Sequence, residues 1–95
     1  MNKEEHLLVC LSEECAEIIK SISKALRFGF DDHHPNNLTS NYEAIERELN
    51  DLYGVIELLS EAGLHFPIDR LQIGAKKEKV KYYMEYAEAK GTIDR

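Results

Sequence analysis

Apolar residues recur every three or four positions through three stretches of the chain, which is the spacing of helices that bury one face. The predicted helices run from Lys3 to about Phe28, from near Asn41 to Gly63, and from Ile68 or Asp69 to about Lys90. No stretch alternates apolar and polar residues as a strand would. The pattern predicts an all-α fold with three helices, in a single domain over residues 1–95.

Each of the first two helices has a predicted apolar stripe. The stripe of the first helix comprises Leu7, Leu11, Cys15, Ile18, Ile22 and Leu26, and that of the second comprises Ile45, Leu49, Leu52, Ile56 and Leu59, widened by Val55 and Leu58. Three helices of this length form a thin layer, and each has more apolar surface than one neighbour can cover. We therefore expect an oligomeric helix bundle, either a homodimer or a homotetramer.

A polar loop is predicted between the first two helices, where Gly29 precedes the residues DDHHPNNLTSN. Phe28 and Phe30 flank the glycine, and we expect them to anchor the loop rather than to stack on a base. His33 and His34 are predicted to be ordinary loop histidines. Neither pair is assigned a functional role from the sequence.

The net charge of −6 argues against a general nucleic-acid binder, because such a protein would show a basic face. No segment approaches the roughly 18 apolar residues of a membrane span, and the first residues do not resemble a signal peptide. Cys10 and Cys15 are expected on different sides of the first helix, which disfavours a disulfide between them. These features are typical of a cytoplasmic protein with no membrane contact.

Acidic side chains occupy unusual positions on both of the first two helices. At about 100° per residue, Glu48 falls inside the apolar stripe of the second helix and Asp51 lies at its edge. Glu14 and Glu17, three residues apart, share a face of the first helix that borders its apolar stripe. If these two faces meet, four carboxylates lie close together.

Such a group is tolerable only with a cation among the carboxylates, because burying an unpaired carboxylate is costly and like charges disfavour one another. Oxygen ligands favour hard cations, Mg²⁺ above all, with Mn²⁺ as a substitute. Zinc would recruit Cys or His, and neither occurs at a matching spacing. The sequence therefore predicts a metal site formed by Glu14, Glu17, Glu48 and Asp51.

The segments EECAE (Glu13 to Glu17) and ELND (Glu48 to Asp51) resemble the EExxE…ExxD signature of the MazG-like, all-α NTP pyrophosphohydrolase superfamily. The run EECAEIIKSISKALRFG is similar to small phage and bacterial members. The resemblance implies a Mg²⁺-dependent enzyme that converts a nucleoside triphosphate to the monophosphate and pyrophosphate. Its compact, phage-like form favours dGTP or GTP as the substrate. The alternatives are dUTP, dCTP or a broad house-cleaning specificity.

By position, the resemblance implies that the metal ligands and catalytic residues are Glu14, Glu17, Glu48 and Asp51. It also implies that Glu13 orients a ligand or a water. The interval between the two motifs is longer than in many members, because residues 29–40 form a substantial loop. The candidates for contacts to the substrate phosphates are the basic residues Arg27, Lys20, Lys24, Lys76 and Lys79.

A second hypothesis is a non-enzymatic helical module that binds a partner as a dimer, with its acids as surface charge. A di-iron bundle would require histidines three residues after its glutamates, where this chain has Glu17 and Asp51. A phosphoribosyl-ATP pyrophosphohydrolase has similar carboxylates, but the loop and the third helix resemble the MazG-like group more closely. Metal binding by Glu48 and Asp51 separates the enzyme from the binding module.

Overall fold

The computed structural model describes residues 1–94, which form three α-helices and no strand. The helices are α1 (Lys3–Phe28), α2 (Asn41–Glu61) and α3 (Arg70–Lys90). The prediction of an all-α fold is confirmed. Across residues 1–94, no helix has the combination of length and apolarity needed to cross a membrane.

Side chains placed just before each helix fix where it begins. Asn2 accepts a hydrogen bond from the Glu5 backbone N–H (2.8 Å), and Ser40 accepts one from the Glu43 backbone N–H (3.1 Å). In both cases the glutamate bonds back to the capping residue, which completes a capping box. Asp69 caps α3 by accepting from the first backbone N–H groups of that helix.

Helices α1 and α2 form an antiparallel hairpin that is closed by the loop between them. The Asn41 side-chain amide donates to the Gly29 carbonyl (2.8 Å), and the Tyr42 backbone N–H donates to the Phe30 carbonyl (2.9 Å). The rings of Phe30 and Tyr42 also pack edge to face, with centroids 6.4 Å apart. Phe30 therefore anchors the loop, as predicted. Phe28 is instead 56% exposed at the end of α1.

The contact between α1 and α2 follows a heptad spacing, in which inward residues are alternately three and four apart. We call the residues of this contact the α1–α2 seam; they are Leu7, Leu11, Glu14, Ile18, Ser21 and Ala25 on α1, Asn41, Ile45, Glu48, Leu52, Val55 and Leu59 on α2, and Ala62 directly after α2. All of them are partly or fully buried. Each helix thus contributes one glutamate to an otherwise largely apolar contact.

The predicted stripe of α2 was wrong for Leu49 and Leu58, which are exposed. That of α1 was also wrong in part, because Cys15, Ile22 and Leu26 are exposed rather than facing α2. Those residues follow a wider average spacing than the seam, so they drift around the helix and away from the contact. They leave a second apolar surface on the outside of the hairpin. The two cysteines are free, as predicted.

Helix α3 stands apart from the hairpin, with no Cα atom within 8 Å of α1 or α2. The radius of gyration is 17.0 Å, whereas a compact chain of this length would have about 12 Å. The molecule measures 48 × 42 × 20 Å. Within residues 1–94 the fully buried apolar core consists of Ala25 and Leu59, so the chain is flat and open.

Candidate metal centre

Three carboxylates from two helices converge at the middle of the hairpin. Glu14 of α1 and Glu48 and Asp51 of α2 each offer an oxygen, and these oxygens all lie within 4.8 Å of one another. Glu14 and Glu48 are partly buried, while Asp51 is exposed at the edge of the helix contact. The group is therefore open to solvent on one side and closed by the helices on the other.

The seam explains why two glutamates meet. Glu14 lies between Leu11 and Ile18 in the heptad spacing of α1, and on α2 Glu48 likewise follows Ile45 by three residues. Side chains at these positions point towards the facing helix. Because the helices are antiparallel and in contact, each glutamate is directed to the same region of the interface.

The electrostatic environment of Glu14 is unfavourable to its charge. Partial burial raises the pKa of this carboxyl above its ordinary value, and the nearby charges of Asp51 and Glu48 raise it further. The charges of Glu17 and Glu13 add smaller contributions in the same direction. The three converging carboxylates form no ion pair with any basic group of residues 1–94. A bound cation would remove this repulsion.

The donor set fits a hard divalent cation. All three candidate ligands are carboxylate oxygens, which Mg²⁺ and Mn²⁺ prefer, and no sulfur or imidazole belongs to the group. Mg²⁺ usually binds through a few carboxylates and keeps several waters or phosphate oxygens in its remaining positions. The exposed side of Asp51 leaves room for such ligands.

Two predicted acids of α1 lie outside this group of three. Glu17 and Glu13 are both exposed on α1. Glu17 lies one helical turn beyond Glu14, near enough for its charge to raise the pKa of Glu14. The structure thus brings together three of the four predicted ligands, and the ligand role of Glu17 remains a prediction.

The predicted phosphate-binding residues lie at increasing distance from the carboxylates. Lys20 and Lys24 are exposed on successive turns of α1 beyond Glu17. Arg27 places its guanidinium carbon 4.9 Å from the centroid of the Phe28 ring. Lys76 and Lys79, also predicted, belong to α3 and are separated from the carboxylates within one chain.

A recess at the loop end of the hairpin was not predicted from the sequence. This loop-end recess has a volume of about 200 Å³ and is lined by Lys24, Phe28, Asp32, His33, His34, Pro35 and Asn41. The sequence feature that could have indicated the recess is the four-residue spacing of Lys24 and Phe28, which places them on one face of α1. The loop residues join that face only because the loop folds back between the two helices.

Comparisons with models of protein families, with curated proteins and with solved structures find no match to this chain. The likeness to the MazG-like superfamily therefore remains a prediction from the sequence, based on the two acidic motifs and the segments around them.

Proposed function

We propose that this chain is a Mg²⁺-dependent nucleoside triphosphate pyrophosphohydrolase of the MazG-like type, acting on dGTP or GTP. The observation that supports the proposal most directly is the meeting of Glu14, Glu48 and Asp51 within 4.8 Å. Two of these acids occupy positions of a helix contact where apolar residues would stabilise the fold better. Their presence at a cost to stability favours a functional role over surface charge.

In the proposed reaction a water adds to the α-phosphorus, the bond from that phosphorus to the bridging oxygen breaks, and pyrophosphate leaves. Glu14, Glu48 and Asp51 would hold Mg²⁺, and Glu17 extends the acidic surface by one turn. A cation bound there would supply positive charge to the phosphate oxygens and would lower the pKa of a bound water. A carboxylate of this acidic surface accepts the proton of the attacking water.

Lys20 is the proposed contact to the phosphates, because it follows Glu17 by three residues on α1 and is exposed. A flexible ammonium at this position offers a point charge to an anion. Lys76 and Lys79 lie too far away within one chain. They become candidates only where α3 of one copy packs against the hairpin of another.

Assembly of this chain with copies of itself is part of the proposal. The chain exposes 8001 Å², whereas a compact monomer of 11.0 kDa would expose roughly 5600 Å². The excess is on the order of 2400 Å² per chain, or about 4800 Å² for two chains, which is within the range that obligate homodimer interfaces bury. A second copy would cover α3 and the outer apolar face of α1, in a homodimer or a homotetramer.

Charge complementarity also favours a second copy as the partner of α3. Helix α2 has six acidic side chains and one basic side chain, whereas α3 has six basic and three acidic ones. Packing the basic helix of one copy against the acidic hairpin of another would offset both charges. The same arrangement would bring lysines towards the carboxylates, where a triphosphate requires positive charge.

The experiment that tests the proposed function is a panel of ribo- and deoxyribonucleoside triphosphates incubated with Mg²⁺ or with EDTA, with the products separated by chromatography. We expect the monophosphate and pyrophosphate from one or a few nucleotides, and no products with EDTA. Release of orthophosphate instead of pyrophosphate would contradict the proposed bond cleavage. Absence of any hydrolysis, together with absence of Mg²⁺ binding, would favour the non-enzymatic helical dimer.

A further inference from the structure

We infer that the loop-end recess binds the base of the nucleotide and selects guanine, an inference that rests on the function proposed above. The recess has about 200 Å³, and its lining combines an aromatic ring with charged and polar groups. A flat heteroaromatic ligand with hydrogen-bonding edges suits such a lining. The sequence alone gave the loop residues no role in binding.

The position of the recess matches the length of a nucleotide. Asn41 of the recess precedes Glu48 by seven residues on α2, and Lys24 follows Glu17 by seven residues and Glu14 by ten on α1. Seven residues are nearly two turns, so Asn41 and Glu48 share a face of α2 and are separated by about 10 Å along its axis, while Lys24 and Glu14 are about 15 Å apart along α1. The recess therefore lies at the loop end of the hairpin, about two to three turns from the carboxylates. The ribose and α-phosphate of an extended nucleotide bridge such a gap.

Phe28 provides the stacking surface. The Arg27 guanidinium lies over this ring, with its central carbon 4.9 Å from the ring centroid, and the ring lines the recess while 56% of the residue stays exposed. Aromatic rings in such positions stack on nucleobases of any type. Phe30, in contrast, packs against Tyr42 and holds the loop.

The charged groups of the recess specify the base. Asp32 accepts no side-chain hydrogen bond within residues 1–94, while its backbone carbonyl is held by the Asn41 backbone N–H at 2.8 Å. Its ionised carboxylate is an acceptor with two oxygens, and the ammonium of Lys24 is a donor. Among the common bases, guanine alone presents two adjacent donors, N1–H and the 2-amino group, beside an acceptor, O6. Asp32 would accept from both donors, and Lys24 would donate to O6 or N7.

The loop histidines support this arrangement. His33 Nδ1 lies 2.9 Å from the His34 carbonyl oxygen, so this nitrogen carries the hydrogen. His34 Nδ1 accepts from the Asn36 backbone N–H at 3.1 Å, so its hydrogen is on Nε2 in the neutral ring. These bonds fix the backbone next to Asp32. They also leave His34 Nε2–H as a further donor on the recess.

The test compares GTP with inosine triphosphate, which lacks only the 2-amino group, in the full chain and two variants. We expect the wild type to prefer GTP in kcat/KM by roughly 10- to 100-fold, the discrimination that one good bidentate contact provides. Asp32→Asn should reduce this preference to about one. Asp31→Asn, the matched control, removes the neighbouring charge outside the recess and should keep the preference.

Equilibrium binding gives a readout that does not require turnover. The probe is a GTP analogue with a methylene group between the α- and β-phosphorus, titrated calorimetrically beside the matching inosine analogue. We expect tighter binding of the guanine analogue, lost in Asp32→Asn and kept in Asp31→Asn. Equal binding of the two analogues by the wild type, or loss of the preference in both variants, would overturn the recess as a guanine site.

The two proposals fail in different ways. Hydrolysis with no dependence of base preference on Asp32 would overturn the guanine recess and leave the reaction in place. Binding of the guanine analogue with the expected dependence on Asp32, but no hydrolysis of any triphosphate, would support the recess and overturn the reaction. Absence of both binding and hydrolysis would overturn both.

Discussion

Glu14 and Glu48 extend from facing helices into the same region of the α1–α2 seam and, with Asp51, bring carboxylate oxygens within 4.8 Å of one another. Neither glutamate forms an ion pair with a basic group in the described part of the chain. The fold therefore places like charges together in a contact that is otherwise largely apolar. A divalent cation bound between these carboxylates would account for the arrangement.

Replacing one seam glutamate should remove activity while preserving the helices. We expect Glu48→Gln to lower turnover at least about 100-fold. Replacing a residue that only supports a metal ligand lowers activity by up to about 100-fold, and replacing the ligand itself should lower it further. Circular dichroism should show unchanged helix content, since the amide is uncharged and relieves repulsion. The control is Glu46→Gln, on the exposed side of α2. Unchanged hydrolysis in Glu48→Gln would exclude this carboxylate from the site.

Mg²⁺ should stabilise the folded chain in the absence of nucleotide. A cation that binds only the folded state at ten times its dissociation constant contributes about 1.4 kcal/mol, so the melting temperature should rise with Mg²⁺ concentration. Thermal melts followed by circular dichroism would measure the rise. The increase should be absent in Glu48→Gln and retained in Glu46→Gln. An equal rise in both variants would indicate weak binding elsewhere on the acidic surface.

The stability of the metal-free chain should depend on the ionisation of Glu14. Its folded-state pKa is raised, whereas in the unfolded chain the pKa is near the ordinary value of about 4.3. The folded state therefore holds this proton at higher pH. The contribution of Glu14 to stability is then largest below the unfolded pKa and is lost as the pH rises through the folded pKa.

Chemical denaturation in EDTA over this pH interval would measure the effect. The decline in the free energy of unfolding with rising pH should be shallower in Glu14→Gln than in the wild type. Saturating Mg²⁺ should also flatten the decline in the wild type, because the cation binds the ionised carboxylate. Identical pH profiles for the wild type and Glu14→Gln would contradict the assignment.

The chain should be an oligomer at micromolar concentration. Val80, Tyr83 and Met84 of α3 line an exposed apolar depression together with Ile93, which a second copy would bury. Light scattering should therefore find no wild-type monomer. Met84→Glu should shift the chain towards a monomer of lower stability, because the new charge would be buried at the interface. The control is Gln72→Glu, which adds the same charge elsewhere on α3 and should leave the assembly intact. A stable monomer of the wild type would contradict the proposed assembly.

The periodicity of apolar residues was sufficient to predict the three helices. Their ends were predicted less closely, since α2 ends at Glu61 rather than Gly63 and α3 begins at Arg70 rather than at Ile68 or Asp69. The capping box at the start of α2 is a local feature of the same kind, since Ser40 precedes a glutamate three residues later. The position of Glu48 inside the apolar stripe of α2 was also predictable, because each residue of a helix is rotated by about 100° from the one before it. These inferences concern residues on a single helix, where the spacing in the sequence determines which side chains are neighbours.

The inward face of α1 could not be predicted in the same way. Its sequence offers one apolar stripe through Cys15, Ile22 and Leu26 and another through Leu11, Glu14 and Ile18, and only contact with α2 selects between them. The loop-end recess likewise depends on Asn41, whose amide bonds to Gly29 twelve residues earlier. Such contacts form through space, so linear spacing does not specify them.

The sequence by itself determined the helical class of this protein, the approximate bounds of its helices and the presence of acids at unusual positions, because each follows from local periodicity and capping. Only the tertiary structure decided which acids meet, since Glu14 joins Glu48 and Asp51 through the antiparallel register of two helices. It also decided that α3 contacts neither helix within one chain. The physical reason is that packing partners, rather than propensity, select the buried face of a helix with more than one apolar surface.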